Sequence, residues 1–585
     1  MNHRFESMIA LALLLVATVV AGPKHPKLAA DFESAIAGET LDVIVQYSEP
    51  ITTSHIRSLG LHRGTHHKQT FPFIDSALVS VPVSELESLA ADPKVVHITP
   101  DRKVEGNLDH ATGAVNFQPL ANYLLSIGQT KGAGVGIVVI DSGIAPGANF
   151  NAYKSTKVSR IVDAESFIDT DPVDRYGHGT HVAGIASGMD NVSMGIANFK
   201  HAYWGMAPDA YLISLKVLDS KGVGSDSAVI AAINRAIQLK SLHPEWNIRV
   251  MNLSLGRPVF ESYKLDPLCL AVEKAWKAGI FVAVAAGNEG RNNSASNNGY
   301  GTILSPGSDP LVMTVGAVNG KTSYDRGSAV LTSYSSKGPT LIDHIVKPDI
   351  VAPGNRVVSY LATGGTLPTT YKGNAITTNA YDPNGSSTVL SPYYFTLSGT
   401  SMAAPLVSGL AAILIQHYPS LTPDQIKGLM MKNAWRGLPP VYVAVDPVTN
   451  TSYVETADIF TVGAGMLDAW ATYQDLMTAT LSKIPGGAGA AASPAAYYDS
   501  TSKSVKLNLN STNSTSVAWG SSVSWGTSVI WGTNVSSSAV ISGSGVVWGT
   551  SVSWGTSVLW GTTSPWASST TPAGEASVVS INGEN

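Results

Sequence analysis

The sequence predicts an α/β protein: a parallel sheet with helices on both faces, preceded by a small α+β unit and followed by a β-rich or disordered tail. Three observations carry this. From about residue 132 to 475, short apolar runs alternate with helical stretches. Over 28–106 the pattern is strand, strand, helix, strand. After 511 the composition turns to a tryptophan-rich repeat. The 585 residues suit several units, since one domain usually takes about 100–200 residues.

The chain begins with Met-Asn-His-Arg, an apolar run from Met8 to Val20, and Val19-Val20-Ala21 before Gly22. A basic start, an apolar middle and a small-residue exit predict a secretory signal peptide over 1–21. The run is too short to cross a bilayer unaided; a retained anchor is the alternative. No other window reads as an apolar run long enough to span a membrane. In the 28–106 unit, Leu41–Val45, Ala77–Val81 and Val95–Ile98 read as strands. Ser84–Ala91 reads as a helix with Glu87 three residues after Ser84, a capping-box spacing.

In the central region the strand candidates are Val135–Ile140, Tyr211–Val217, Arg249–Leu253, Ile280–Ala285 and Leu311–Val315. Helix candidates are Thr180–Ser187, Asp226–Leu239, Pro267–Ala278 and Ala403–His417. Continuously apolar strands between helices imply a parallel sheet covered on both faces. Functional groups in such sheets gather beyond the strands' carboxyl ends. Between Val357 and Phe395 the periodicity fades, which predicts a long surface loop or hairpin. Gly486-Gly487-Ala488-Gly489 opens an expected flexible linker over 486–510.

A single cysteine, Cys269, excludes an internal disulfide and reads as a small core hydrophobe, with a cysteine nucleophile as the alternative. A net charge of -5 shows no basic footprint, so nucleic acid is not an expected partner.

Four segments carry chemistry. Asp141 ends the apolar strand Gly136–Ile140, where a carboxylate can orient another side chain or simply cap a turn. Gly177-His178-Gly179-Thr180-His181 sets two histidines one helical turn apart. A general base needs an oriented, neutral imidazole. A metal pair is the alternative, but no Glu follows His178 as in zinc peptidases. Ser401 in Gly399-Thr400-Ser401-Met402 precedes an apolar helix, where free N–H groups favour a developing anion; a plain helix cap is the other reading. Asn288 follows the strand and Ala285-Ala286-Gly287, as an oxyanion donor or a turn residue.

Together, and in this order, these segments resemble the subtilisin-like serine proteases, the subtilase family. The resemblance implies that Asp141 orients His178, that His178 takes a proton from Ser401, and that Ser401 attacks a peptide carbonyl. Asn288 and the Ser401 N–H would hold the oxyanion; His181 is the motif's non-catalytic histidine. It further implies substrate-binding segments at Gly222-Val223-Gly224, the strand pairing with substrate, and at Ser254-Leu255-Gly256 and Ala285-Ala286-Gly287, the pocket walls. Leu304, near the pocket floor, should make the pocket shallow and favour small or medium apolar residues before the cut.

The resemblance also implies a zymogen. Residues 28–106 would be an inhibitory propeptide and folding aid, cut near Asn107–Ala111, ahead of a peptidase domain over 112–480. Protein or peptide substrates, a monomer, and a secreted or surface-attached location are expected. No cofactor is required. Structural calcium stays open, because no Asp stands where the usual carboxylate would follow Asp141 and Asn149 and Asn151 are nearest. A binding module on the same fold would normally lack a catalytic residue, and His178 and Asn288 argue against the acid-acting relatives. An acyl transferase would share the same triad.

The tail, 511–585, repeats tryptophan every six residues at 519, 525 and 531 and again at 548, 554, 560 and 566. An even period puts every tryptophan on one side of an extended strand, as in a β-solenoid. A flexible, processed tail is the alternative; contact of the repeat with a cell surface or polymer is a hypothesis, and its role stays open.

Overall fold

The computed structural model describes residues 25–28, 32, 38–71, 75–100, 109–155, 157–294, 297–321, 325–478, 486–499, 504–508, 581, 583 and 584. The signal-peptide reading of 1–21 and the tryptophan repeat lie outside the described residues. The chain divides into two units, Met1–Val104 and Glu105–Asn585.

The first unit runs β1 (Thr40–Tyr47), α1 (Thr53–Leu59), β2 (His66–Phe71), β3 (Ser76–Pro82), α2 (Leu86–Ala90) and β4 (Val95–Pro100). Its sheet is antiparallel in the order β2-β3-β1-β4. Ala77, Val79 and Val81 are buried while Leu78 and Ser80 between them are less so, the period of two that gives a sheet one core face. Val43, Val45, Leu59, Leu86 and Leu89 complete that core. The expected strands are present. The expected capping box is not: Val83–Glu85 is a 3-10 turn and α2 starts at Leu86. The additional strand β2 is largely polar, His66-His67-Lys68-Gln69-Thr70-Phe71, as an edge strand can be.

The second unit opens with α3 (Asp109–Ala114), α4 (Phe117–Ser126), β5 (Gly136–Asp141), β6 (Ile161–Ser166), α5 (His178–Ser187), α6 (Asn191–Met194), β7 (Tyr211–Lys216), α7 (Asp226–Leu242), β8 (Ile248–Leu253), α8 (Pro267–Lys277) and β9 (Phe281–Ala285). It continues with β10 (Met313–Asn319), β11 (Val330–Leu331), β12 (Ile350–Pro353), β13 (Val357–Tyr360), α9 (Thr366–Thr370), β14 (Ala375–Thr377), β15 (Leu390–Leu397), α10 (Thr400–His417) and α11 (Pro423–Lys432). Last come β16 (Val441–Val445), β17 (Ser452–Thr456), α12 (Ala469–Thr478), β18 (Ala495–Asp499) and β19 (Ser504–Asn508).

The main sheet has the order β11-β10-β9-β8-β5-β7-β6, with β12 also on β10. All its pairings are parallel except β10 with β11. Every residue of β5, β9 and β10 is buried, so both faces are covered, as the continuous apolar runs predict. Helix α10 packs on α5 and over β8, β9 and β10; α7 packs on α8 and over β5 and β8.

Three expectations are corrected. The stretch 357–395 is not one long loop: it holds α9 and most of a three-stranded sheet, β13-β15-β14, in which the antiparallel β14–β15 pair supplies the expected hairpin. The described part of the expected linker is docked: Ala491 and Ala492 are buried, and the Asp424 carboxylate accepts from the Gly489 and Ala491 amides. Small side chains that suggest flexibility also let a backbone pack closely. By length and composition α10 could span a membrane, against the sequence reading, but it is 83% buried and serves as a core helix.

Candidate active site

The site is built where β5 ends and α5 begins. Asp141 is the last residue of β5 and fully buried. His178 opens α5, and its Nδ1 lies 2.8 Å from Asp141 Oδ1. Gly179 makes this approach feasible: a Cβ there would stand 2.2 Å from the Gly143 carbonyl oxygen and 3.1 Å from Asp141 Cβ.

A second carboxylate, missed in the sequence, shapes the same turn. Asp174 is buried and accepts from the amides of Tyr176, Gly177 and Thr180, the Thr180 hydroxyl and the Ser142 hydroxyl. Ser142 in turn accepts from the Gly179 amide at 2.9 Å. Burial raises the Asp174 carboxyl's pKa, and these donors work against that rise. Its only sequence signal was position: a carboxylate a few residues before a helix start can bind the free N–H groups there.

Ser401 lies in the first turn of α10, so its N–H has no partner within the helix. Its Oγ donates to the Ser254 carbonyl at 3.2 Å, and the Ser254 hydroxyl donates to the Ser401 carbonyl at 2.8 Å. Asn288 Oδ1 accepts from the Thr400 amide at 2.9 Å and the Thr400 hydroxyl at 3.1 Å. Because Thr400 N–H can only donate, Asn288 must give it the oxygen, which turns Nδ2 free to donate elsewhere.

Burial pushes the His178 imidazole's pKa down, but the Asp141 charge and hydrogen bond, with the Asp174 charge, outweigh it; the net shift is upward. One turn on, His181 is buried and its Nε2 lies 3.0 Å from each of the Val357 and Phe395 carbonyls. Burial, reinforced by His178, pulls its pKa down to about 3. This ring is neutral and donates to backbone, so the two histidines differ in kind.

The pocket segments also converge. Leu304 N–H donates to Ala286 at 3.0 Å, and Arg257 and Ser305 exchange a pair of backbone bonds at 2.9 and 2.8 Å. A Cβ on Gly256 would meet Leu304 Cβ at 3.0 Å, and one on Gly287 would meet Leu304 Cγ at 2.6 Å. Leu304 therefore fills the space between Ser254-Leu255-Gly256 and Ala285-Ala286-Gly287. Gly222-Val223-Gly224 belongs to no strand; Val223 bonds through its N–H and carbonyl to Asp219, and its side chain is exposed. Cys269 is buried beside Ser305 and Ser308, and burial pushes its thiol well up, which suits a core residue and not a nucleophile.

Asn149 and Asn151, the residues nearest an expected calcium site, sit against a fixed cation of the protein. Asn149 Oδ1 accepts from Val192, and the buried Arg160 guanidinium donates to the carbonyls of both residues. These oxygens already serve a fixed cation. A different cleft, about 310 Å³, opens beside His178 and is lined by Tyr176, Leu367, Leu397, Ser398, Met402 and Ile581.

The profile of the subtilase family, Peptidase_S8, matches residues 132–465. Serine protease AprX of Bacillus subtilis (strain 168) is 33% identical over 67% of this chain and 82% of its own length. Subtilisin DY of Bacillus licheniformis is 33% identical over 52% of this chain and 85% of its own. Thermostable alkaline protease of Halalkalibacterium halodurans is 32% identical over 64% of this chain and 82% of its own.

Proposed function

The chain belongs to the subtilase family and is a subtilisin-type serine endopeptidase, and from that premise we propose that Ser401, His178, Asp141 and Asn288 carry its reaction through an acyl-enzyme. The observation that supports this most is the 2.8 Å Asp141–His178 bond, with Ser401 in the first turn of α10, which packs on α5, the helix that His178 opens. Ser401 Oγ turns from the Ser254 carbonyl toward His178, whose Nε2 takes its proton as Oγ attacks the substrate carbonyl. The His178 cation that forms is stabilised by Asp141. The oxyanion accepts from Asn288 Nδ2 and the Ser401 N–H, both fixed before substrate arrives. His178 then gives the proton to the leaving amine, and water repeats the sequence to release the acid.

Leu304 limits the acyl-side pocket, so small and medium apolar residues are favoured before the cut. The protein is secreted as a zymogen: 1–21 directs export, and the separately cored first unit is the inhibitor and folding aid, removed near Asn107–Ala111. Export of the precursor beside a Ser401→Ala variant tests this. The parent should lose the first unit and hydrolyse casein. The variant should keep the unit joined and be inactive. Equal processing and activity in both would overturn the reading.

A further inference from the structure

The cleft beside His178 contains a lining residue from far along the chain, Ile581. Its neighbours show how it is held. Glu584 is 2% exposed, and its carboxylate accepts from Arg291 Nη2 at 2.7 Å, the Ser333 amide at 3.1 Å, and the Ser333 hydroxyl. The Arg291 side chain is 4% exposed, and its other arm binds Asp446 at 2.5 Å. Asn355 grips the Glu584 backbone twice, accepting from its N–H at 2.7 Å and donating to its carbonyl at 2.8 Å. Asn374 Nδ2 donates to the Ile581 carbonyl at 2.5 Å.

Gly583 between them has φ +63°, and a Cβ there would lie 2.6 Å from Ser398 Oγ and 2.7 Å from Asn355 Oδ1. Only glycine fits this turn. A buried carboxylate with every one of these partners is a built site, because an unpaired charge there would be costly. None of Ser254–Gly256, Ala285–Gly287 or Leu304 lines the cleft. Leu397, Ser398 and Met402, which flank Ser401 in sequence, do line it, as does Lys221 beside Gly222.

We propose that Arg291, Ser333, Asn355 and Asn374 form a second peptide-binding site, for an acidic segment with glycine before the acid, and that the chain's own Ile581, Gly583 and Glu584 occupy it. Ile581 then fills the leaving-group end of the cleft and competes with substrate residues beyond the cut. This rests on the acyl-enzyme reading of Ser401.

The test uses the full chain and its Glu584→Lys variant, which sets a cation against Arg291. In the Ser401→Ala background, where no chemistry occurs, the Ser333 amide should exchange slowly in the parent and at least tenfold faster in the variant. In the active protein, a peptide with residues on both sides of the cut should gain about 3–10-fold in kcat/KM, as for release of a site that is largely occupied. The same acyl part ending in p-nitroanilide should change less than about twofold, since it places no residues in that end. Gly583→Val should act likewise, and it carries the test if Glu584→Lys lowers the melting temperature. Unchanged Ser333 exchange, or gains of equal size on both substrates, or no gain on the long peptide in either folded variant, would overturn the proposal. Hydrolysis persisting in Ser401→Ala would instead strike the acyl-enzyme reading, and the exchange result would still decide the docking site.

Discussion

In the proposed site, the acyl side and the leaving-group side are closed by different means. At the acyl end, Leu304 is wedged between Gly256 and Gly287 and tied to Ala286 by a backbone bond. At the leaving-group end, Ile581 is brought in by a segment whose Glu584 lies 293 positions after the Arg291 that holds it. A side chain packed between two backbone segments, as Leu304 is, cannot leave without shifting them. A segment held by a few polar bonds can leave and exchange those bonds for water. On the proposed reading, preference before the cut is set by the fold, whereas access beyond the cut depends on occupancy.

In the proposed reading one chemical centre serves both ends, and the largest predicted effect tests that. Asp141→Asn should lower kcat about 10⁴-fold, the loss recorded for the equivalent change in an unrelated protease with the same triad. The loss should be equal for long peptides and nitroanilides. The pH profile gives the sign independently. The Asp141 charge helps hold the His178 pKa above its ordinary 6.5, and only neutral imidazole accepts the Ser401 proton. Thus kcat/KM should fall as pH drops through that raised pKa, and the acid limb of Asp141→Asn should lie at lower pH. An unmoved limb would separate Asp141 from His178. His181, at about 3, titrates too low to contribute near neutrality.

Asn288→Ala should come next, with kcat reduced about 10²–10³-fold and KM nearly unchanged; that magnitude comes from subtilisin and not from this geometry. The bond it loses forms only as charge develops, so ground-state binding should be spared. Again both substrate types should suffer alike. A loss confined to long peptides would mean that Asn288 binds the far side and not the oxyanion.

The residues proposed to react are legible because such chemistry imposes local spacing. Asp141 must end a buried strand, His178 must start a helix beside glycines, and Ser401 must open another helix. The core strands were legible for a similar reason, being apolar on both faces. What escaped notice was held by partners distant in sequence or mixed in composition. Strand β6, Ile161-Val162-Asp163-Ala164-Glu165-Ser166, lies at an edge and has no continuous apolar run. Asp174 acts through a folded turn that no motif announces. Glu584 is one of many acidic residues until Arg291 and Ser333 surround it. The Ala-rich 486–499 stretch looked like a linker because its role depends on Asp424 receiving its amides.

Of the changes at the proposed reacting centre and its pocket, the smallest effect should come from the wall itself. Leu304→Gly removes the side chain that stands between Gly256 and Gly287 and opens a space about the size of a leucine. Filling such a space with an apolar side chain is worth about 1.5–3 kcal/mol. Substrates with Phe or Tyr before the cut should therefore gain about 10–100-fold in kcat/KM relative to those with Ala. The gain should be the same for nitroanilides and long peptides, because both place that residue at the acyl end. Glu584→Lys should leave this preference untouched, and Leu304→Gly should leave the long-peptide penalty untouched. Coupling between the two substitutions would mean that one pocket spans both ends, and the contrast between a fixed wall and a removable one would fail.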